Sequence, residues 1–364
     1  MARSMEFPIC IICGMMLEEG SFLERLNGQV DSNWMSNVTA LSGPCWRHYE
    51  KGPSSMEIPD DIITRFVAIT TYSSELQLIP SGRTVIPQLG YDRDQPLNTD
   101  PIARQEWFFG IHTACEEIAN QVMQRSRKSR VRSTANLWMT LDRRCIKTQS
   151  QGGVMNVSMN FLPNIPQNRP GEPLKLGLNR YYIPDGCIYR LSNERDGWWD
   201  DDPLHIPDLT SSLVSALEQV NPPHMALQFR SYFAILPQEI QDDIKELVMS
   251  SLVHESFTLD CNYLAPQSFW KSLFLQVPFL WDVDQGMINK KLLPIVTGNE
   301  WNWEKITRQI LTPVEALFPE YWEEVEWDYK DVGLVVPPGL NNRHRIWQIV
   351  EEMYPNDVEM EHCR

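Results

Sequence analysis

The strongest periodic signal in the chain lies between Ile235 and Phe274. Apolar residues recur at Ile240, Ile244, Leu247, Val248 and Leu252, with Gln241, Asp242, Asp243, Lys245 and Glu246 between them. That spacing makes one face of an amphipathic helix. Its start is marked by Leu236-Pro237-Gln238-Glu239. Proline at a first helical position sacrifices no hydrogen bond, and a glutamate there complements the helix dipole. Further on, Phe257, Leu259, Cys261 and Tyr263 alternate and do not keep a helical period.

Elsewhere the pattern changes from stretch to stretch. Phe66-Val67-Ala68-Ile69 and Thr84-Val85-Ile86 are rich in β-branched residues and bounded by Ser81-Gly82 and proline, so they read as strands. A helix is expected from near Trp107 to about Arg125, with Ile111, Cys115, Ile118, Ala119, Val122 and Met123 facing inward. Leu137-Trp138-Met139-Leu141 resumes an apolar face. Residues 90–101 and 150–175 read as loops, the second as a linker. After it come the short strand-like runs Arg180–Ile183 and Cys187–Leu191, then a short helix from Leu209 to Leu217. Beyond Phe274 the pattern is mainly helical and rich in tryptophan. The fold class is therefore α+β. Four regions follow from these shifts: 1–150 with the early Cys and His residues, 151–230 with loops and short strands, the helical segment 231–280, and 281–364.

Composition narrows the partners. The 364 residues are 42% hydrophobic and 22% charged, the balance of an ordinary globular chain. Thirty-two basic against 48 acidic residues give −16, which disfavours nucleic acid and anionic membrane as partners. The basic run Arg125–Arg132 goes against that balance; a nuclear localisation signal or an RNA-contacting patch competes with the favoured reading, a solvated helix end or a dock for acidic segments of the same chain. Phe7–Leu17 follows Arg3 as a signal-peptide core would, but Glu18-Glu19 comes next and no small-x-small cleavage site does. No apolar run approaches the roughly 20 residues of a spanning helix. The eight cysteines are dispersed, at 10, 13, 45, 115, 145, 187, 261 and 363, and read as reduced thiols of a cytoplasmic or nuclear protein.

Two short-spaced pairs among the cysteines suggest chemistry. Cys10-x2-Cys13 precedes Gly14, and His112-x2-Cys115 lies about a hundred residues on. Each pair can supply one edge of a tetrahedron of N and S donors, which is the geometry zinc prefers. A glycine after Cys-x2-Cys favours the tight turn that such a knuckle needs. Four protein ligands leave no open position, so a zinc held here is structural. The competing reading makes Cys115 a core residue and Cys10 and Cys13 small hydrophobes of a buried strand. Asp200-Asp201-Asp202 and Asp282-Val283-Asp284 look like fragments of metal sites, but neither continues with a glutamate at calcium-loop spacing, and both read as caps or turns.

Leu236-Pro237-Gln238-Glu239-Ile240 with its aliphatic stripe is similar to the opening of an F-box. Ala265-Pro266-Gln267-Ser268-Phe269-Trp270-Lys271-Ser272 resembles a segment found in F-box-like proteins of filamentous fungi, as do Asp202-Pro203-Leu204-His205-Ile206-Pro207 and Asn341-Asn342-Arg343-His344-Arg345-Ile346-Trp347. That family is also similar in having an early Cys-x2-Cys-Gly and a later His-x2-Cys. The resemblance implies a substrate receptor that joins a target protein to the Skp-type adaptor of a cullin–RING ubiquitin ligase. By motif position, the adaptor-binding face is Leu236, Pro237, Ile240, Ile244 and Leu247. An F-box packs three helices; with only Ser251–Leu264 before Ala265, the box here reads as shortened. Taken alone, the same stripe also suits a buried core helix.

Signatures of the common enzyme classes are missing. There is no Gly-x-Gly-x-x-Gly, no phosphate-loop Gly-Lys-Ser/Thr, no Gly-x-Ser-x-Gly, and His254-Glu255 has no second histidine. The chain is expected to be non-catalytic. The rival to the ligase reading is a zinc-stabilised interaction protein whose box no longer meets an adaptor.

Overall fold

The computed structural model describes residues 10–15, 17, 34–44, 59–71, 75–86, 91–92, 106–141, 198–251, 258–292, 298–312 and 328–353. The linker expected over 150–175 and the strands expected at 180–183 and 187–191 lie outside them. The fold is α+β, and the chain divides into two compact units. One comprises 1–204, 316–324 and 342–364; the other comprises 205–315 and 325–341.

The first unit is built on an antiparallel sheet. Its strands are β1 (Val38–Pro44), β2 (Thr64–Thr70), β3 (Leu76–Ile79), β4 (Thr84–Ile86), β5 (Tyr91–Asp92) and β6 (Glu106–His112), in the order β5-β4-β3-β2-β1-β6. The β-branched runs around Phe66 and Val85 form β2 and β4, as their composition suggests. The helix expected from Trp107 does not begin there. Residues 106–112 pair with β1 along its whole length, from Pro44 opposite Glu106 to Val38 opposite His112. Phe108, Phe109 and Ile111 are all buried, so both faces of this strand are apolar. Such a run carries no alternation, and periodicity alone cannot distinguish it from a buried helix. The helix α1 (Thr113–Arg125) starts only after His112. The amide of Thr113 donates to the Asn37 carbonyl, and the Thr113 and Thr39 hydroxyls bond at 3.1 Å. Helix α2 covers 134–141, and its Leu137, Trp138, Met139 and Leu141 are buried.

Helix α1 ends at Arg125, and Arg127, Lys128, Arg130 and Arg132 beyond it are exposed. This matches the solvated helix end expected there. Arg132 donates back to the Ser126 and Arg127 carbonyls.

The second unit is mostly helical. Helix α3 (Leu209–Ser215) is followed by β7 (Gln219–Val220), α4 (His224–Ala234), α5 (Gln238–Ser251), α6 (Gln267–Leu275), α7 (Gln285–Lys291), β8 (Glu300–Trp301) and α8 (Trp303–Leu311). Its core forms where α6 packs on α8. Trp270, Leu273 and Phe274 of α6 are buried with Trp303, Ile306 and Ile310 of α8. The Phe274 and Trp303 rings lie 5.5 Å apart. Glu304, fully buried, accepts the amides of Asn262 and Tyr263 and two donors from Arg308. One carboxylate thus fixes the irregular segment ahead of α6. A last helix, α9 (Gly339–Glu352), is counted with the first unit from Asn342 onward.

Candidate metal centre and an outward apolar helix face

Cys10 to Met15 form a tight knuckle. The Gly14 amide donates to the Cys10 carbonyl at 2.8 Å, and the Cys10 amide donates to the Met15 carbonyl at 2.7 Å. Gly14 takes a φ of 81°, a left-handed value that glycine adopts without strain. This is a turn and not the buried strand of the competing reading. The knuckle lies against β6: the Ile11 amide donates to the Gly110 carbonyl, and a Cβ on Gly110 would stand 2.6 Å from Leu17 Cδ1. Glycine at 110 therefore allows the close approach.

That approach brings the knuckle to the junction of β6 and α1. His112 is the last residue of the strand and Cys115 sits in the first turn of the helix. The donor atoms of Cys10, Cys13, His112 and Cys115 all lie within 4.8 Å of one another, and the four residues are buried. His112 Nδ1 is 3.3 Å from Cys13 Sγ and 3.8 Å from Cys115 Sγ. Ligands about 2.0–2.3 Å from a tetrahedral ion stand roughly 3.5–3.8 Å apart, so these spacings suit one. Backbone amides also point at sulfur, from Met15 to Cys13 at 3.5 Å and from His112 to Cys10 at 3.4 Å. The group can hold a metal ion. All four ligands expected from the sequence converge.

The electrostatics suit a ligand set. Burial alone would push the Cys13 thiol up, but hydrogen bonds from Cys10 and Cys115 and the charge of His112 outweigh it and hold it well below its ordinary value. His112 is pushed the other way: burial opposes its charge, yet the Cys10 and Cys13 sulfurs raise it to about 10. Cys115 is raised well above the ordinary thiol value, by burial first and then by its hydrogen bonds to Cys10 and Cys13. A metal bound by these residues takes deprotonated sulfurs and a neutral imidazole, so its binding releases protons.

A second layer surrounds the centre. Trp34 stacks edge-on against the His112 ring at 4.6 Å, and its indole N–H donates to the Asp200 carbonyl. From α9, Arg345 donates to the Cys13 carbonyl at 2.8 Å and to Asn342 Oδ1 at 2.9 Å. Asn342 donates in turn to the Trp199 and Asp201 carbonyls, and Arg343 to those of Pro203 and Leu204. Two of the motifs that carry the family resemblance, around Asp202 and Asn342, thus hold each other. Sequence reading missed Arg345, because nothing local to residue 345 points to a cysteine 332 positions away.

The aspartates are caps and turns. Asp202 accepts the Leu204 amide, and Asp284 caps α7 by accepting the Met287 amide.

The five residues of the expected partner face share α5 and the turn before it. Ile240 and Leu247 are 45% and 68% exposed, Pro237 is exposed, and Leu236 and Ile244 are half-buried. Helix α4 adds Met225, Phe229 and Tyr232 on its outer side, while its inner side buries Ala226, Arg230 and Phe233. Ile235, between the two helices, is 79% exposed. The box-like segment is not a packed helical trio among the described residues, since α6 belongs to the α8 interface. No protein-family model, curated protein or solved structure matches the chain. No helix among the described residues is long and apolar enough to cross a membrane.

Proposed function

We propose that this chain is a non-catalytic interaction protein of the cytoplasm or nucleus. A structural zinc staples its first unit, and α5 in the second unit offers an apolar edge to the Skp-type adaptor of a cullin–RING ubiquitin ligase. The rest of the chain would then take a target protein. The observation that carries this reading is the outward aliphatic edge of α5. A helix whose apolar face served only its own core would bury it, and burying each such side chain contributes about 1.5–3 kcal/mol. Exposed Ile240 and Leu247 keep that contribution for a partner. Zinc is the metal that three thiolates and one imidazole fit best, and a closed set of four serves structure and not catalysis.

The deciding experiment is co-purification of the full chain with the adaptor, beside an Ile240→Asp/Leu247→Asp variant. The reading requires that the parent chain retain the adaptor and the variant lose it. Absence of retention by the parent chain, or equal retention by both, removes the ligase role.

One observation favours a second reading. Because α6 packs with α8 and not into a trio with α5, the box can be a scaffold that has lost the adaptor. The protein would then be a zinc-stabilised interaction protein, and the same co-purification separates the two.

A further inference from the structure

The centre described above explains its four ligands but not the arginine that closes on it. Arg345 is fully buried. Its guanidinium donates to the carbonyl of Cys13, itself one of the ligand residues, and its Cζ lies 6.0 Å from the centre of the Trp198 ring. The partner Asn342, which steadies its other arm, is also fully buried and is anchored on two carbonyls of 199–201. The guanidinium is thus held in place from three sides, beside a peptide that must keep its shape for the ion to bind.

Charge gives this placement a purpose. A divalent ion bound by three thiolates and a neutral imidazole leaves one net negative charge. In a site sealed from water that charge is costly unless a cation stands near it. Arginine is the one cationic side chain that never gives up its proton, so it can serve this role at any physiological pH.

We propose that Arg345 is a positioning residue of the metal centre: it orients the Cys13 knuckle and supplies the positive charge that offsets a three-thiolate site. The inference rests on the zinc reading. It makes α9 part of the metal site, although no ligand comes from that helix. Groups in this outer shell typically change metal affinity about 10–100-fold when removed.

The test uses full-length protein carrying Arg345→Met or Arg345→Lys, with zinc affinity read by chelator competition. The sulfur-to-metal charge-transfer band of the cobalt(II)-substituted protein supplies a readout that a purely structural role would not move. Arg345→Met is expected to weaken zinc about 10–100-fold and to shift the band to lower energy, because removing a nearby cation raises the sulfur donor orbitals. Arg345→Lys keeps the charge and is expected to hold the band at the parent position. A folded Arg345→Met protein with parental affinity and an unmoved band overturns the inference. If Arg345→Met does not fold, Arg345→Lys decides: zinc binding near the parental affinity with an unmoved band sustains the inference, and loss of zinc, a shifted band or loss of fold overturns it. A parent chain that takes up no zinc or cobalt refutes the metal reading itself, which is a separate outcome.

Discussion

His112 Nδ1 lies 3.3 Å from Cys13 Sγ across 99 positions of sequence. Neither residue reaches the other through its own element. The knuckle is carried to the strand by the Gly110 contact, and the strand is held by its pairing with β1. The four-residue cluster is therefore a property of the sheet edge as much as of its own side chains.

Gly110 is where this dependence can be measured. Gly110→Ala places a Cβ against Leu17 Cδ1 at 2.6 Å and pushes the knuckle away from β6. Overpacking of this kind costs about 1–3 kcal/mol. Zinc content at limiting metal should fall while the helical circular dichroism of the second unit is kept.

The outward face of α5 and the inward face of α6 should respond in opposite ways. Exposed positions such as Ile240 and Leu247 tolerate change within about 0.5 kcal/mol, so Ile240→Asp/Leu247→Asp should melt nearly as the parent does. Trp270, 1% exposed against α8, should cost about 3–5 kcal/mol when changed to alanine. Thermal denaturation of the two variants side by side checks both expectations.

Glu304 carries more than its ion pair. Changing it to alanine removes the carboxylate that accepts from Nε and Nη2 of the buried Arg308 and from two backbone amides. Removal of one partner from a buried pair costs about 3–5 kcal/mol. Glu304→Gln keeps an acceptor and should lose less. Urea midpoints at constant slope would rank the two.

His344 makes the first unit sensitive to acid. Burial, with Lys128 nearby, holds its imidazole down at about 3. Above the ordinary value of 6.5 both folded and unfolded chains leave it neutral, and it has no effect on stability. As pH falls below 6.5 the unfolded chain takes up a proton that the folded chain refuses until about 3. Stability is therefore lost on acidification, by about 2 kcal/mol at pH 5 from this group alone. His344→Gln should flatten that part of the pH profile, and the difference between variant and parent isolates it from the cysteines and His112.

Much of this was legible in the chain. The stripe from Ile240 to Leu247 announces a helix because one face differs from the other, and the β-branched runs at Phe66 and Val85 announce strands by their composition. The segment 107–112 does not, since it is apolar on both sides and its pattern suits the start of a helix equally well. β1 gave no signal either: Val-Thr-Ala-Leu-Ser-Gly-Pro has no alternation to read, and only its pairing with β2 and β6 makes it a strand. The Cys-x2-Cys and His-x2-Cys spacings pointed to the four ligands, as local geometry within each pair is a matter of a few residues. Arg345 acts through tertiary contact, and no spacing rule reaches it.

Metal analysis of the full-length protein, purified without chelator, decides whether Cys10, Cys13, His112 and Cys115 hold zinc. One zinc per chain is expected, with the content falling to background in Cys13→Ser and His112→Gln, and a lower melting temperature for the first unit after chelation. A parent chain that holds no stoichiometric zinc, or a Cys13→Ser chain that holds as much as the parent, would contradict it.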